Sequence, residues 1–379
     1  MHRSTRTIML QLTMSILLAG LLLVGTLTTL TMAQEPNSDS AAPTITESSP
    51  FEPLPQISMT MPFSYARVIT DEVPIYGNPL SSTGELSPTH SLGTGYLWVS
   101  LANSQPLTIN NQSWYQINED EFVKMEHVAL YTPSVFHGIT FTTPPTQPFG
   151  FLVYYVRPSI TPGIVATDTR WLRRYNMVTI SETRYITDTP WYQVGENQWV
   201  YDHNLGVVTP MPRPNPIGPY DKWIEVNLYE QTLAVYEGDR LVFATLVSSG
   251  LPLWETEKGL FRLERKIKSA KMSGGMVGDD YYFVEDVPWT MYFVGPYALH
   301  GAYWHDSFGF PHSHGCVNMS LSDSQWLFEW STPKPSKYNR ISATESNPGT
   351  WVFVHDGSGW QPPQEAFPEA YNRFEFVQN

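Results

Sequence analysis

A mainly β chain assembled from several small units is the fold class this sequence predicts, and three observations carry that expectation. Thirty-two prolines interrupt 379 residues, which favours short elements joined by many turns. Aromatic residues make up 14% of the chain and charged residues only 15%, a balance suited to strands with one face buried. Apolar residues recur at period two through most of the patterned stretches. Helical spacing stands out in one place, Ser320–Trp330.

The length allows two or three domains, each with its own core. Thirty-six acidic residues against 22 basic ones give a net charge of −14, which argues against nucleic acid or an anionic lipid surface as partner. The chain has one cysteine, Cys316, so it has no internal disulfide framework, and a single thiol in an exported protein points to chemistry.

Export is expected from the start of the chain. His2, Arg3 and Arg6 precede an uncharged run from Thr7 to Ala33, the layout of a signal peptide or membrane anchor over residues 1–33. Residues 34–62 are rich in Pro, Ser, Thr and Glu and read as a disordered linker.

An internal repeat follows. Trp114-Tyr115-Gln116, Phe122-Val123 and Val128-Ala129-Leu130 are echoed by Trp191-Tyr192-Gln193, Trp199-Val200 and Gly206-Val207-Val208. Each copy reads as a strand, a turn containing Asn, Asp or Glu, a strand and a short last strand. The pattern resembles bacterial SH3-like modules, which often accompany cell-wall enzymes, and predicts two of them, at 63–132 and 151–209. Residues 133–150 would link the copies. Alternate prolines from Pro210 to Pro216 predict a semi-rigid polyproline spacer over 210–219.

Residues 220–357 read as a third domain. Trp223–Leu228, Leu233–Tyr236 and Leu241–Val247 form an antiparallel meander, and Gly259–Ile267 is a half-buried strand. Lys268–Val287 lacks periodicity and holds Gly274, Gly275 and Gly278, so it is expected as a mobile flap. Lys266, Lys268 and Lys271 either meet substrate carboxylates there or lie in solvent. Trp289–Val294 and Tyr297–His300 are two more strands. A short helix begins near Ser322 or Asp323 as cap and turns Trp326, Leu327 and Trp330 to one face. Trp351–Val354 is a buried strand, and residues 358–379 are a tail.

Chemistry concentrates between Ala298 and Ser320. This stretch holds Cys316 and four of the ten histidines, His300, His305, His312 and His314. A thiol attacks as thiolate, and an imidazole within reach can take its proton. Gly315 lets backbone approach closely, so the amides of Gly315 and Cys316 are candidate donors to an oxyanion. Two other readings of the same residues are a zinc site and a buried structural cysteine. The stretch has no C-x-x-C or H-E-x-x-H pair, and a cysteine flanked by glycine and polar residues is a poor core position.

His300-Gly301 and Ser313-His314-Gly315-Cys316-Val317-Asn318, whose cysteine lies sixteen residues after His300, resemble the signature of the L,D-transpeptidases, the YkuD-type catalytic domain. The likeness extends from about Asp221 to Asp356. It departs at Thr256-Glu257-Lys258-Gly259, where the family carries Thr-Pro-Thr-Gly. The order His before Cys separates the motif from papain-like and NlpC/P60-like enzymes.

The resemblance implies a β-sandwich catalytic domain with a short helix, here preceded by two small β modules. It implies an acyltransferase that joins peptidoglycan stem peptides through a thioester on Cys316. His300 would be general base and acid, oriented by the Gly301 carbonyl. Gly315 would serve the oxyanion hole, and Ser313, His314 and Asn318 would support the motif or touch substrate. It implies no metal or organic cofactor, and acylation by β-lactams of the carbapenem class. Hydrolysis by the same site (an L,D-carboxypeptidase) and an inactive wall-binding protein are the alternatives. The expected location is the cell wall or surface, with the membrane involved only through the N-terminal segment.

Overall fold

The short apolar runs between 64 and 131 fold as eight strands: β1 (Ser64–Val68), β2 (Pro74–Tyr76), β3 (Pro88–Ser91), β4 (Tyr96–Leu101), β5 (Leu107–Ile109), β6 (Gln112–Asn118), β7 (Glu121–Lys124) and β8 (Val128–Tyr131), with a 3-10 turn at Met125–His127 before the last. β1 lies antiparallel between β4 and β8, and β3-β2-β7-β6-β5 make a second sheet. Ala66, Ile75, Leu97, Val99, Tyr115 and Val123 close the core between them. This computed structural model describes residues 54–56, 63–80, 86–164, 170–277, 280–334 and 337–357. The expected signal or anchor at 1–33, nearly all of the 34–62 linker and the 358–379 tail lie outside the described residues, which all fall within one compact unit.

The next strands are β9 (Ile139–Thr140), β10 (Phe149–Leu152), β11 (Met177–Thr179), β12 (Glu182–Ile186), β13 (Thr189–Gly195), β14 (Gln198–Tyr201) and β15 (Leu205–Val208), with a 3-10 turn at Asp202–Asn204. β10 lies antiparallel between β11 and β15, as β1 does between β4 and β8. β12-β13-β14 repeats β5-β6-β7, including a register shift in the middle strand, at Gln193/Gly195 and at Gln116/Asn118. The sequence repeat is thus a repeat of strand order and pairing.

The two expected linkers are not spacers. In 133–150, Phe136 is buried and β9 adds to the edge of the third domain's sheet, Thr140 opposite Phe243. In 210–219, Met211 and Ile217 are 5% and 2% exposed and pack with Phe149, Phe151, Val208, Trp223 and Tyr236. The Met211 amide donates to the Tyr236 hydroxyl at 3.3 Å. An extended proline strand keeps few donors of its own to satisfy, so the apolar residues between its prolines are free to turn inward. Burial of each contributes roughly 1.5–3 kcal/mol.

The third domain holds β16 (Lys222–Asn227), β17 (Thr232–Glu237), β18 (Arg240–Leu246), β19 (Gly259–Arg262), β20 (Arg265–Gly274), β21 (Tyr282–Val294), β22 (Tyr297–Gly301), β23 (Val317–Met319), α1 (Leu321–Trp330), β24 (Arg340–Ser342) and β25 (Trp351–His355). One sheet runs β19-β25-β16-β17-β18-β9. The other runs β23-β22-β21-β4-β1-β8, with β20 branching from β21 and β24 from β20. Ile224, Val226, Leu233, Met291, Leu299, Val317 and Trp326 share one core drawn from both sheets and α1. Ser320 caps the helix, accepting from the Asp323 amide at 3.2 Å, rather than Ser322 or Asp323. Trp326, Leu327 and Trp330 are buried as their spacing predicts.

Two readings of Lys266–Val287 change. The expected flap is mostly a β-hairpin of β20 and β21, and β21 pairs in parallel with β4 of the first repeat, Tyr96 opposite Tyr282. Its ordering comes from a strand far away in sequence, which no local period encodes. Lys266 meets neither substrate nor solvent. It is fully buried, donating to the Phe328 and Ser331 carbonyls at 2.5 and 3.0 Å. There it satisfies the open C-terminal carbonyls of α1 and complements the helix dipole.

Candidate active site

The parallel pair β22 and β23 sets His300 opposite Asn318 and Leu299 opposite Val317. His300 therefore lies one residue from the end of β22 while Cys316 immediately precedes β23. Gly315 makes the turn into β23 at φ +108, and a Cβ there would stand 2.2 Å from the Tyr297 ring. Only glycine fits that backbone and that space. His300 and Cys316 both line a cavity of about 230 Å³, together with Ser313, His314 and Asn318.

His300 Nδ1 lies 3.2 Å from the Gly301 carbonyl oxygen. A carbonyl only accepts, so Nδ1 carries the proton and Nε2 keeps its lone pair. Burial lowers the imidazole's pKa to about 4, which keeps it neutral and basic in form at pH 7. Burial raises the Cys316 thiol to about 11, a backbone hydrogen bond with Ala298 pulling the other way. The resting pair is thus a neutral thiol and a neutral imidazole, not an ion pair. The expected imidazole–thiol hydrogen bond is not formed. The thiol donates instead to the Pro296 carbonyl at 3.8 Å.

The turn before the cysteine is closed by its own hydroxyl. Ser313 Oγ donates to the Cys316 carbonyl and accepts from the Gly315 amide at 3.1 Å. The Gly315 amide, the expected oxyanion donor, is therefore engaged inside the turn. The physical reason is that a serine two residues before an amide readily folds back on it.

The other histidines separate clearly. His314 is packed against Trp254 and Tyr282, with ring centroids 4.1 and 4.8 Å away, and its Nε2 is 3.8 Å from the Asp280 carboxylate. His355 meets Glu225 at 3.1 Å. His305 accepts from the Ser307 amide at Nδ1, 3.1 Å, so its Nε2 bears the proton. Asn318 faces that Nε2 at 2.9 Å and must present its carbonyl oxygen there, which reverses the amide's nominal orientation and gives the otherwise unpaired oxygen a partner. Burial first, then His312 and His300, push His305 down to about 2, consistent with a neutral ring. Asn318 is thereby a buried brace between β23 and the loop that carries His305.

Tyr96, Met272, Asp280, Tyr282, Val284, Trp304 and His312 complete the lining, and of these only Trp304 and His312 fall in the stretch between Ala298 and Ser320 where the chemistry concentrates. Trp304 had a signal, four residues past His300. Tyr96 had none. Among the described residues, no group of three or more His, Cys, Asp or Glu side chains is arranged to hold a metal.

β22 and the turn into β23 thus bring a histidine and a cysteine to one cavity, where an imidazole can take a thiol's proton. Residues 221–354 match the model of the L,D-transpeptidase catalytic domain, YkuD. YciB of Bacillus subtilis (strain 168), a candidate L,D-transpeptidase by its name, is 27% identical over 121 residues, covering 28% of this chain and 59% of its own length. The chain thus spans less than two thirds of that relative. The catalytic domain of the Enterococcus faecium L,D-transpeptidase is 25% identical at TM-score 0.29, covering 36% of this chain and 98% of that one. An L,D-transpeptidase of Mycobacterium smegmatis is 18% identical at TM-score 0.31, covering 59% and 93%.

Proposed function

We propose that this chain is an exported L,D-transpeptidase that cross-links peptidoglycan stem peptides through a thioester on Cys316. The observation that carries it is that the neighbouring strands β22 and β23 bring His300 and the adjoining Cys316 to one cavity, inside the matched family segment. Cys316 Sγ attacks the carbonyl of the third stem residue while its proton passes to His300 Nε2. The tetrahedral intermediate expels the terminal D-alanine amine, which takes that proton. An amine of a second stem then attacks the thioester, loses its proton to His300, and the thiol is released. Because the resting pair is neutral, proton transfer accompanies attack rather than preceding it.

Export through residues 1–33, wall binding by the two repeat units as SH3-like modules, and acylation by carbapenems belong to the same proposal. Mass spectrometry of muropeptides tests the reaction. The purified protein should convert tetrapeptide stems to cross-linked dimers, and Cys316→Ala should give none. Tripeptide stems without dimers would make it a carboxypeptidase. No product, with Cys316→Ala still retained on sacculi, would make it a binding protein.

A further inference from the structure

The first repeat reaches the catalytic cavity. β4 and β21 run parallel with Tyr96 opposite Tyr282, Leu97 opposite Phe283 and Trp98 opposite Val284. Alternation along the pair splits the two faces. Leu97 and Phe283 pack into the repeat's own core. Trp98 and Val284 pack with Tyr303, three residues past His300. Tyr96, Tyr282 and Val284 turn the same way and all line the cavity that holds Cys316 and His300.

The junction is built closely. The Tyr96 amide donates to the Tyr281 carbonyl at 2.9 Å. Gly95 stands at φ +151, where a Cβ would come within 2.5 Å of the same oxygen, so a side chain there would prise the strands apart. The Arg67 guanidinium sits 5.7 Å from the Tyr96 ring centroid. Tyr96 is thus placed by a three-residue parallel pairing, as His300 is against Asn318.

We propose that Tyr96 contacts the acyl-donor stem peptide and sets its specificity, so that the first repeat is a wall of the active site. The proposal rests on the functional reading above. A flat ring with a hydroxyl at its edge suits the aliphatic side chain of a peptide residue, with a polar partner near its end. The cavity's other face is then formed by the third domain, and donor recognition is shared between that domain and the first repeat.

The test uses the full chain with Tyr96→Ala and Tyr96→Phe. Turnover of a purified tetrapeptide stem is measured beside the rate at which iodoacetamide alkylates Cys316, which needs no peptide recognition. Tyr96→Ala should lower kcat/KM for the stem by about tenfold or more, chiefly through KM, the scale of one lost packing contact in a pocket. Tyr96→Phe should stay within about threefold, and alkylation should be unchanged in both. Unchanged kcat/KM in Tyr96→Ala overturns the proposal and leaves the transpeptidase reading standing. Should Tyr96→Ala melt early, Tyr96→Leu carries the same comparison, and parallel loss of turnover and alkylation there assigns Tyr96 a structural role only. A wild-type protein that turns over no stem peptide fails the functional reading itself, and the proposal with it.

Discussion

The two repeats share strand order and pairing but meet the third domain in opposite ways. The first docks by an edge: β4 continues the sheet into β21, and Tyr65 stacks on Tyr303 with centroids 3.6 Å apart. The second docks by its core: Phe149, Phe151 and Val208 merge with Met211, Trp223, Tyr236 and Leu246. Its β11, the counterpart of β4, is left at the edge of a three-stranded sheet. Among the described residues, only the first sends a side chain to the cavity lining. The same unit thus serves as a wall in one place and a buttress in the other, and what differs is which strand edge finds a partner.

The largest expected effect comes from breaking each dock at its centre. Tyr65 is 1% exposed and Phe151 0%, so Tyr65→Ala and Phe151→Ala should each cost about 3–5 kcal/mol of stability. At a temperature where both stay folded they should part. Tyr65→Ala releases Tyr303 and with it the loop following His300, so turnover per folded molecule should drop at least about tenfold. Phe151→Ala should leave turnover near wild type. Denaturant melts with activity assays on the same samples check this. Equal activity in the two variants would erase the distinction between wall and buttress.

What was legible in the sequence follows the range of the interactions involved. The His-Gly and Ser-His-Gly-Cys motif, the meander at 222–246 and the helix at 321–330 are written in residues close together, and each was read. The β4–β21 pairing joins Tyr96 to Tyr282 across nearly half the chain, and nothing near either residue announces it. Lys266 reads as a surface charge until α1 supplies carbonyls for it. Met211 and Ile217 read as spacer residues until Phe149 and Tyr236 cover them. The engagement of the Gly315 amide is local, since Ser313 lies two residues away and its hydroxyl folds back on the turn.

A smaller effect should come from adding one methyl at each junction. Gly95→Ala meets the Tyr281 carbonyl, and Gly206→Ala meets Leu246 Cδ2 at 2.6 Å and the Glu230 carbonyl at 2.9 Å. Each should destabilise by about 1–3 kcal/mol. Gly95→Ala moves Tyr96 and should raise KM for the stem peptide, whereas Gly206→Ala should not. Steady-state kinetics on both variants decide it, and a raised KM in Gly206→Ala alone would reverse the roles given to the two repeats.

The smallest effect concerns pH. Each dock buries a carboxyl: Glu285, which accepts from Asn118 and from the Ser100 amide at 3.4 Å each, and Asp202, which accepts from the Tyr192 hydroxyl at 3.2 Å. Burial raises both to about 7, from ordinary values of 4.5 and 3.8. The folded state then binds a proton that the unfolded state has released, so ∂ΔG/∂pH of unfolding is negative between the two pKa values. The stabilising share is full below about pH 4 and lost as pH rises through 7. Glu285→Gln and Asp202→Asn should each flatten the fall in stability between pH 4.5 and 7, by on the order of 1 kcal/mol at pH 7.5 after screening. Melting temperatures across that range measure it. Only Glu285→Gln should also flatten the pH dependence of KM, because only its dock carries Tyr96. If Asp202→Asn alters KM across the same range as strongly as Glu285→Gln does, the second repeat is coupled to the cavity by a route that the strand pairings do not reveal.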